Sequence, residues 1–300
     1  EDLSLLQDQF LCHEDAFESR AARARCARLI FIHLWRFAVR APAILCAFLL
    51  ATIVSCTGAE AQSAFCFNSP GKLNARDTAQ GDADRTVRLA GMAFPLKVGP
   101  QAANFEAHLN SQIFGYGGQY GPGGSLSDPR NYQGCWQDTF CEGKRTWPMP
   151  LCPMKKGHQG DDIRPSGPEE DKYEAVAFQD GTVRLVTKNT TLIMAMDDGT
   201  ECRYLHMDPA SIPAGIVGKR VQKGVTVLGR VSNWMGGVHH GTSTHLHFDC
   251  SQTVRFGSGK AAFIHIPIYP SLIVSYADVW QLTGLTVQNH VLLPGSPFEK

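Results

Sequence analysis

The sequence predicts an all-β core, a compact antiparallel β-sheet or sandwich, behind an irregular cysteine-bearing N-terminal extension. Two observations carry this. From Tyr173 onward the chain is written in short runs rich in Val, Ile, Thr, Leu and aromatics: YEAVAFQ, TVRLVTK, TTLIMAM, ECRYLHM, VTVLGRV and THLHFDC. Gly-containing breaks separate them, among them Asp180-Gly181, Asp198-Gly199, Lys223-Gly224 and Gly236-Gly237. Short strands between such turns read as antiparallel hairpins, and no helical period longer than about three turns runs through the stretch.

The chain divides by composition into four parts: a targeting segment over 1–61, a Gly-rich extension over 62–145, a core over 146–270 and a tail over 271–300. Arg20, Arg23, Arg25, Arg28, Arg36 and Arg40 precede an apolar run from Ala43 to Ser55, and Ala59-Glu60-Ala61 supplies a small-x-small cleavage site before Gln62. This reads as a secretory signal. The run is short for a membrane span, which needs ~20 apolar residues. A retained anchor is the alternative, as is lipidation of Cys56 within Ile53-Val54-Ser55-Cys56; either would tether the protein to a membrane. The expected location is therefore periplasmic or elsewhere in the cell envelope.

Between 62 and 100 the chain is mixed and polar, with a weak apolar patch at MAFPLKV. FGYGGQYGPGGS, at 114–125, reads as a long surface loop, or as a flexible wall of a substrate groove. It lacks the spacing of a phosphate-binding glycine loop. Residues 126–157 hold Cys135, Cys141 and Cys152 with several prolines, an irregular and cross-linked segment. After Cys250 comes an apolar piece, FIHIPIYPSLIV, and a short helix around Tyr276 to Leu282.

Composition excludes some partners. Lys+Arg and Asp+Glu balance at 28 each, which gives no electrostatic reason for nucleic acid or an anionic lipid surface. Six cysteines remain after the proposed cut, Cys66, Cys135, Cys141, Cys152, Cys202 and Cys250. An even count fits an oxidising compartment, although pairing is open among 15 possibilities. None forms Cys-x-x-Cys, so a thiolate zinc site is not expected.

The chemistry lies in GHQGDD, YLHMD and THLHFD, which carry His158, Asp162, His206, His245 and His247. Two imidazole nitrogens and one carboxylate oxygen suit zinc with a position left for water, and the remaining two histidines are candidates for acid–base work. On a strand, His245 and His247 share one face while Leu246 and Phe248 turn into the core. Tyr204 and His206 are likewise expected to share a face. His158 and Asp162 converge across a helical turn or around a tight loop, and Gly157 and Gly160 favour the loop. Asp161 is expected to be solvated or to support its neighbour. His239 and His240 read as loop residues, with a further contribution to the substrate wall as the alternative. Asn189-Thr190-Thr191 is a glycosylation sequon by pattern only.

Gly-His-Gln-Gly-Asp-Asp-Ile, Arg-Tyr-Leu-His-Met and Thr-His-Leu-His-Phe, in this order, resemble the lysostaphin/LytM-type (beta-lytic) zinc metalloendopeptidases, which have the duplicated hybrid motif fold and cut peptide bonds in peptidoglycan. Val217 to Gly224 resembles the turn that precedes a strand in that family. The resemblance covers roughly 150–255. It implies that His158, Asp162 and His247 bind Zn2+ and that His206 and His245 are the catalytic histidines, with a peptidoglycan peptide as substrate and no nucleic acid. Cys202 and Cys250 flank His206 and His247, and a disulfide between their strands is expected. Residues 62–145 can fold over the groove, with Asn104, Asn110 or Asn131 available as a fourth ligand.

Two other readings compete. An exported peptidoglycan-binding module, or a regulator of another wall hydrolase, would need no catalysis, but such a relative would be expected to have lost ligands, and all five positions are filled here. A copper-binding or metal-buffering role for the His239–His247 cluster leaves GHQGDD and YLHMD unexplained. A cupin also uses His-x-His on a β-scaffold, but no glutamate follows His247 before Glu299.

Overall fold

The computed structural model describes residues 65–300 except 75, 76, 78, 112–124, 144, 145, 188–190 and 258. The expected signal segment, the Cys56 lipidation site, nearly all of the Gly-rich loop and most of the sequon lie outside the described residues. Among those residues no helix is long and apolar enough to cross a membrane.

Among the described residues the fold is mostly antiparallel β-sheet with one α-helix, as the strand–turn alternation predicts. The strands are β1 His108–Leu109, β2 Asp161–Arg164, β3 Glu174–Val176, β4 Gly181–Val186, β5 Leu192–Ala195, β6 Glu201–Leu205, β7 Arg220–Val221, β8 Val227–Arg230, β9 Leu246–Arg255, β10 Ala261–Ile266, β11 Val287–Gln288 and β12 Val291–Leu292. Eight of them form one sheet in the order β1-β2-β9-β6-β5-β4-β7, with β10 also paired to β9. Strand β9 is the hub. It pairs β6 along one edge, while β2 and then β10 share the other.

Alternation sets what β9 buries. Leu246, Phe248 and Cys250 join the main core with Tyr204 and Cys202 of β6, their cross-strand partners in two of the three cases. Phe248 meets Tyr204 and Phe178 in edge-on ring contacts at 5.0 and 5.5 Å. The opposite face, through His247 and Asp249, carries polar groups.

Cys202 is bonded to Cys250 between β6 and β9, as expected, and Cys66–Cys135 and Cys141–Cys152 complete three disulfides among the described residues. Such bonds belong to exported chains.

The helix differs from expectation. It spans Tyr269–Trp280 rather than beginning at Tyr276. Pro270 sits in its first turn, where the missing N–H has no helical partner anyway, so it is compatible with the helix start. It ends where Gln281 takes the left-handed conformation and donates its N–H to Ala277 and Asp278 carbonyls. Tyr276 on this helix packs against Trp136 at 4.7 Å and Phe65 at 5.0 Å, and Phe65 meets Phe298 at 5.6 Å. The weak apolar patch alternates into the same core through Met92, Phe94 and Leu96, with Leu96 bridged to Ala175 of β3.

Candidate metal centre

Three imidazoles converge on Asp162. Its Oδ1 lies 3.5 Å from His158 Nε2, 3.4 Å from His245 Nε2 and 3.1 Å from His247 Nδ1. Asp162 and His247 are directly paired in the β2–β9 register, so the sheet itself sets that contact. His158 arrives from the turn before β2. The tight loop, not a helical turn, brings it there: Gly157 has φ +147°, and a Cβ at Gly160 would lie 2.3 Å from the Phe248 carbonyl oxygen. Only glycine lets the loop lie that close to β9. His158, Asp162 and His247 offer ligand atoms that all lie within 4.8 Å of one another.

Each imidazole is held by one nitrogen, which fixes what the other presents. His158 Nδ1 donates to the Thr139 carbonyl at 2.9 Å, His245 Nδ1 to Ser243 at 2.7 Å and His206 Nδ1 to Trp234 at 2.5 Å. A carbonyl only accepts, so these Nδ1 atoms carry protons, and in the neutral form of each ring Nε2 is the lone-pair atom. His247 is inverted. Its Nε2 faces Asp249 Oδ2 at 2.9 Å and its Nδ1 faces Asp162. Asp249 is itself bonded by Arg203 Nε at 2.8 Å and lies 3.2 Å from His265 Nδ1.

His206 sits beside His245, ring centroids 4.6 Å apart, and 6.2 Å from His247. It does not share the face of Tyr204, as strand alternation implied. β6 ends at Leu205, and His206 takes φ +68°. That left-handed turn, unusual for a non-glycine residue, carries its ring to the polar side. Tyr204 stays in the core, donating its hydroxyl to the Val176 carbonyl at 2.9 Å and accepting the Phe178 N–H.

Burial and mutual interaction shift the groups of the centre in different directions. Burial would raise the Asp162 carboxyl, but the His158 and His245 rings and further hydrogen bonds hold it well below the usual carboxylate range. Burial would lower His247, but its bonds to Asp162 and Asp249 prevail and push it up to about 9. Burial, and then His245 and His247, hold His206 well below the usual imidazole value.

Several supporting residues were not singled out in the sequence. Thr139 accepts from His158 through its carbonyl and from the Asp162 N–H through its hydroxyl at 3.0 Å. Asp249 continues the His245-x-His247-x spacing on one strand face, a signal that would have found it; Thr139 and Arg203 carry no local signature. Asp161 is not solvated. It is fully buried, accepts from Thr139 N–H at 3.1 Å, and burial followed by Asp138 drives its carboxyl upward. Asn104 and Asn110 turn their side-chain oxygens to Ser166 N–H at 2.8 Å and Arg164 Nε at 2.7 Å, and Asn131 accepts through its backbone carbonyl from Asn110.

No protein-family model matches the chain, and no curated protein matches it. Among solved structures it is similar to a protein assigned as a glycyl-glycine endopeptidase lytM from Ruminococcus gnavus ATCC 29149, with 19% identity, 65% of this chain and 62% of that chain covered, and a TM-score of 0.38. It is similar to a zinc-containing peptidase from Vibrio cholerae, with 20% identity over 40% of this chain and 34% of that one and a TM-score of 0.27. A mutant catalytic domain of the prophage-encoded M23 protein EnpA from Enterococcus faecalis gives 21% identity, 38% and 77% coverage and a TM-score of 0.26. The chain thus spans less than two thirds of the first two. All three neighbours are peptidases, the first named lytM and the third an M23 protein.

Proposed function

We propose that the protein is an exported zinc-dependent endopeptidase that hydrolyses peptide bonds of peptidoglycan cross-links. The observation that carries this is the convergence of His158 Nε2, Asp162 Oδ1 and His247 Nδ1 within 4.8 Å, with two further imidazoles alongside. Two nitrogens and a carboxylate oxygen are the donor set zinc takes in catalytic sites. Both imidazole ligands are oriented by a hydrogen bond on their far nitrogen. Zinc held there supplies Lewis acidity.

The chain's own residues do the rest. His245 and His206 lie side by side at the centre; one accepts a proton from the attacking water and passes it to the leaving amine, and the other, in its Nε2-protonated form, donates a hydrogen bond to the developing oxyanion. Backbone anchors on Ser243 and Trp234 stop both rings from rotating. In this reading residues 146–270 hold the machinery, with 62–145 and 271–300 as extension and tail. The N-terminal 1–61 directs export or, if retained or lipidated at Cys56, tethers the enzyme to a membrane. The peptidoglycan substrate follows from the resemblance of the three motifs.

The test is incubation of the full chain with purified peptidoglycan, with and without a chelator, following released amines and fragment masses. Chelator-sensitive release with one zinc bound at Asp162 supports the reading, and the masses name the bond. Zinc binding with no release from any peptidoglycan would leave a binding module and overturn it.

A further inference from the structure

A second set of metal-ligating groups stands outside the centre just described, on the segment joining β8 to β9. Val238 follows a two-residue turn at Gly236-Gly237, both with positive φ, closed by paired Met235 and Val238 hydrogen bonds of 2.9 and 3.0 Å. Next come His239 and His240. His240 takes φ +58°, a conformation that side chains resist, and this lays the two imidazoles face to face at 3.8 Å. Glu170, from the segment before β3, reaches both. Its Oε2 is 2.7 Å from His239 Nε2 and its Oε1 is 3.4 Å from His240 Nδ1.

The tautomer of His240 is fixed. Asn233 Oδ1 accepts the His240 backbone N–H at 3.1 Å, so it is the amide Nδ2 that faces His240 Nδ1 at 3.0 Å. An amide nitrogen only donates, so His240 Nδ1 is a lone-pair donor. His239 Nε2, His240 Nδ1 and a Glu170 oxygen all lie within 4.8 Å of one another. All three side chains keep contact with solvent, so an ion can enter without the fold opening.

We propose that Glu170, His239 and His240 form a second binding site for a divalent transition metal of the zinc, nickel and copper class. Two imidazoles and one carboxylate suit these ions, whereas magnesium and calcium prefer all-oxygen sets. The metal replaces the proton between His239 and Glu170 and displaces the Asn233 amide from His240. The site does not depend on the peptidase reading, since it shares no ligand with the Asp162 centre. The two are nonetheless joined by backbone. Trp234 stacks on His239 at 5.0 Å and its carbonyl holds His206. Ser232 donates its N–H to the His206 carbonyl at 2.9 Å and accepts from His245 N–H at 3.2 Å. Metal at the rim therefore ties down the segment that positions both histidines.

The test is zinc titration of the metal-free full chain, by dialysis and metal analysis, on the wild type, D162N and the double variant H239Q/H240Q. The expected result is two equivalents in the wild type and one in each variant, with E170Q weakening the second equivalent. Both variant histidines are exposed, and circular dichroism checks their fold. Copper provides a second readout: quenching of Trp234 fluorescence, judged against W234F, persists in D162N and is lost in H239Q/H240Q. Zinc stoichiometry and quenching unchanged in H239Q/H240Q would overturn the rim site. A single zinc kept in D162N and lost in H239Q/H240Q would instead support the rim and remove the Asp162 centre.

Discussion

Asp249 receives the Nε2 side of His247 at 2.9 Å, and it does so from two residues further along the same strand. A single run of β9 thus supplies both the imidazole that faces Asp162 and the carboxylate that orients it. Arg203, paired with Asp249 across the β6–β9 ladder, neutralises the buried charge. D249A is expected to lower zinc affinity roughly 10–100-fold, the usual cost of losing such a partner. Competition with a chromophoric chelator measures it; unchanged affinity would show that Asp249 merely balances Arg203.

His206 and His158 should separate by function. H206A is expected to keep the zinc at Asp162 and lose roughly 10²–10⁴ in kcat, whereas H158A loses the zinc itself. Metal content and turnover measured on the same preparations test this, and zinc loss in H206A would move that residue into the ligand set.

Gly160 tolerates no side chain. A Cβ there would lie 2.3 Å from the Phe248 carbonyl oxygen and 2.5 Å from Asp249 Cβ. G160A should destabilise the fold by about 1–3 kcal/mol and also weaken zinc binding, because the loop it displaces carries His158. Urea unfolding of the metal-free chain isolates the first effect.

The Cys202–Cys250 bond, between residues separated by 48 in sequence, clamps the two strands that lead to His206 and from His247. Replacing both cysteines with alanine is expected to cost roughly 2–4 kcal/mol. Thermal unfolding of the double variant against the wild type provides the check; equal stability would mean that the paired strands hold without it.

Asp138 gives stability a pH dependence of unusual sign. Burial, opposed by bonds from the Gly71 and Phe140 N–H groups and reinforced by Asp82, pushes its carboxyl up to about 7. The unfolded chain releases this proton near pH ~3.9. The folded state holds the extra proton between those values, so the contribution is full below pH ~3.9 and is lost as pH rises through about 7. D138N should flatten the stability profile across that window in urea titrations; an unaltered slope would assign the effect to another group.

Much of this was legible in the chain. Period-two patterning in THLHFDC places Leu246 and Phe248 inward, because pleating leaves no choice once one face is buried. The Cys202–Cys250 pairing was expected only through the family resemblance, which brings His206 and His247, the histidines these cysteines flank, to one site. What the sequence by itself determined was local: strands, turns, and the glycines that let GHQG fold tightly. The tertiary structure alone decided the rest. Thr139, 23 residues before Asp162, holds both His158 and Asp162, and no local pattern marks a carbonyl for that task. His206 leaves the face its spacing assigned because β6 stops one residue earlier and the backbone turns left-handed. Glu170 meets His239 and His240 only because β3 and β8 pair and bring the segments flanking them together. Spacing fixes where a side chain points along one strand; which partner stands opposite depends on long-range packing, which no short stretch of sequence contains.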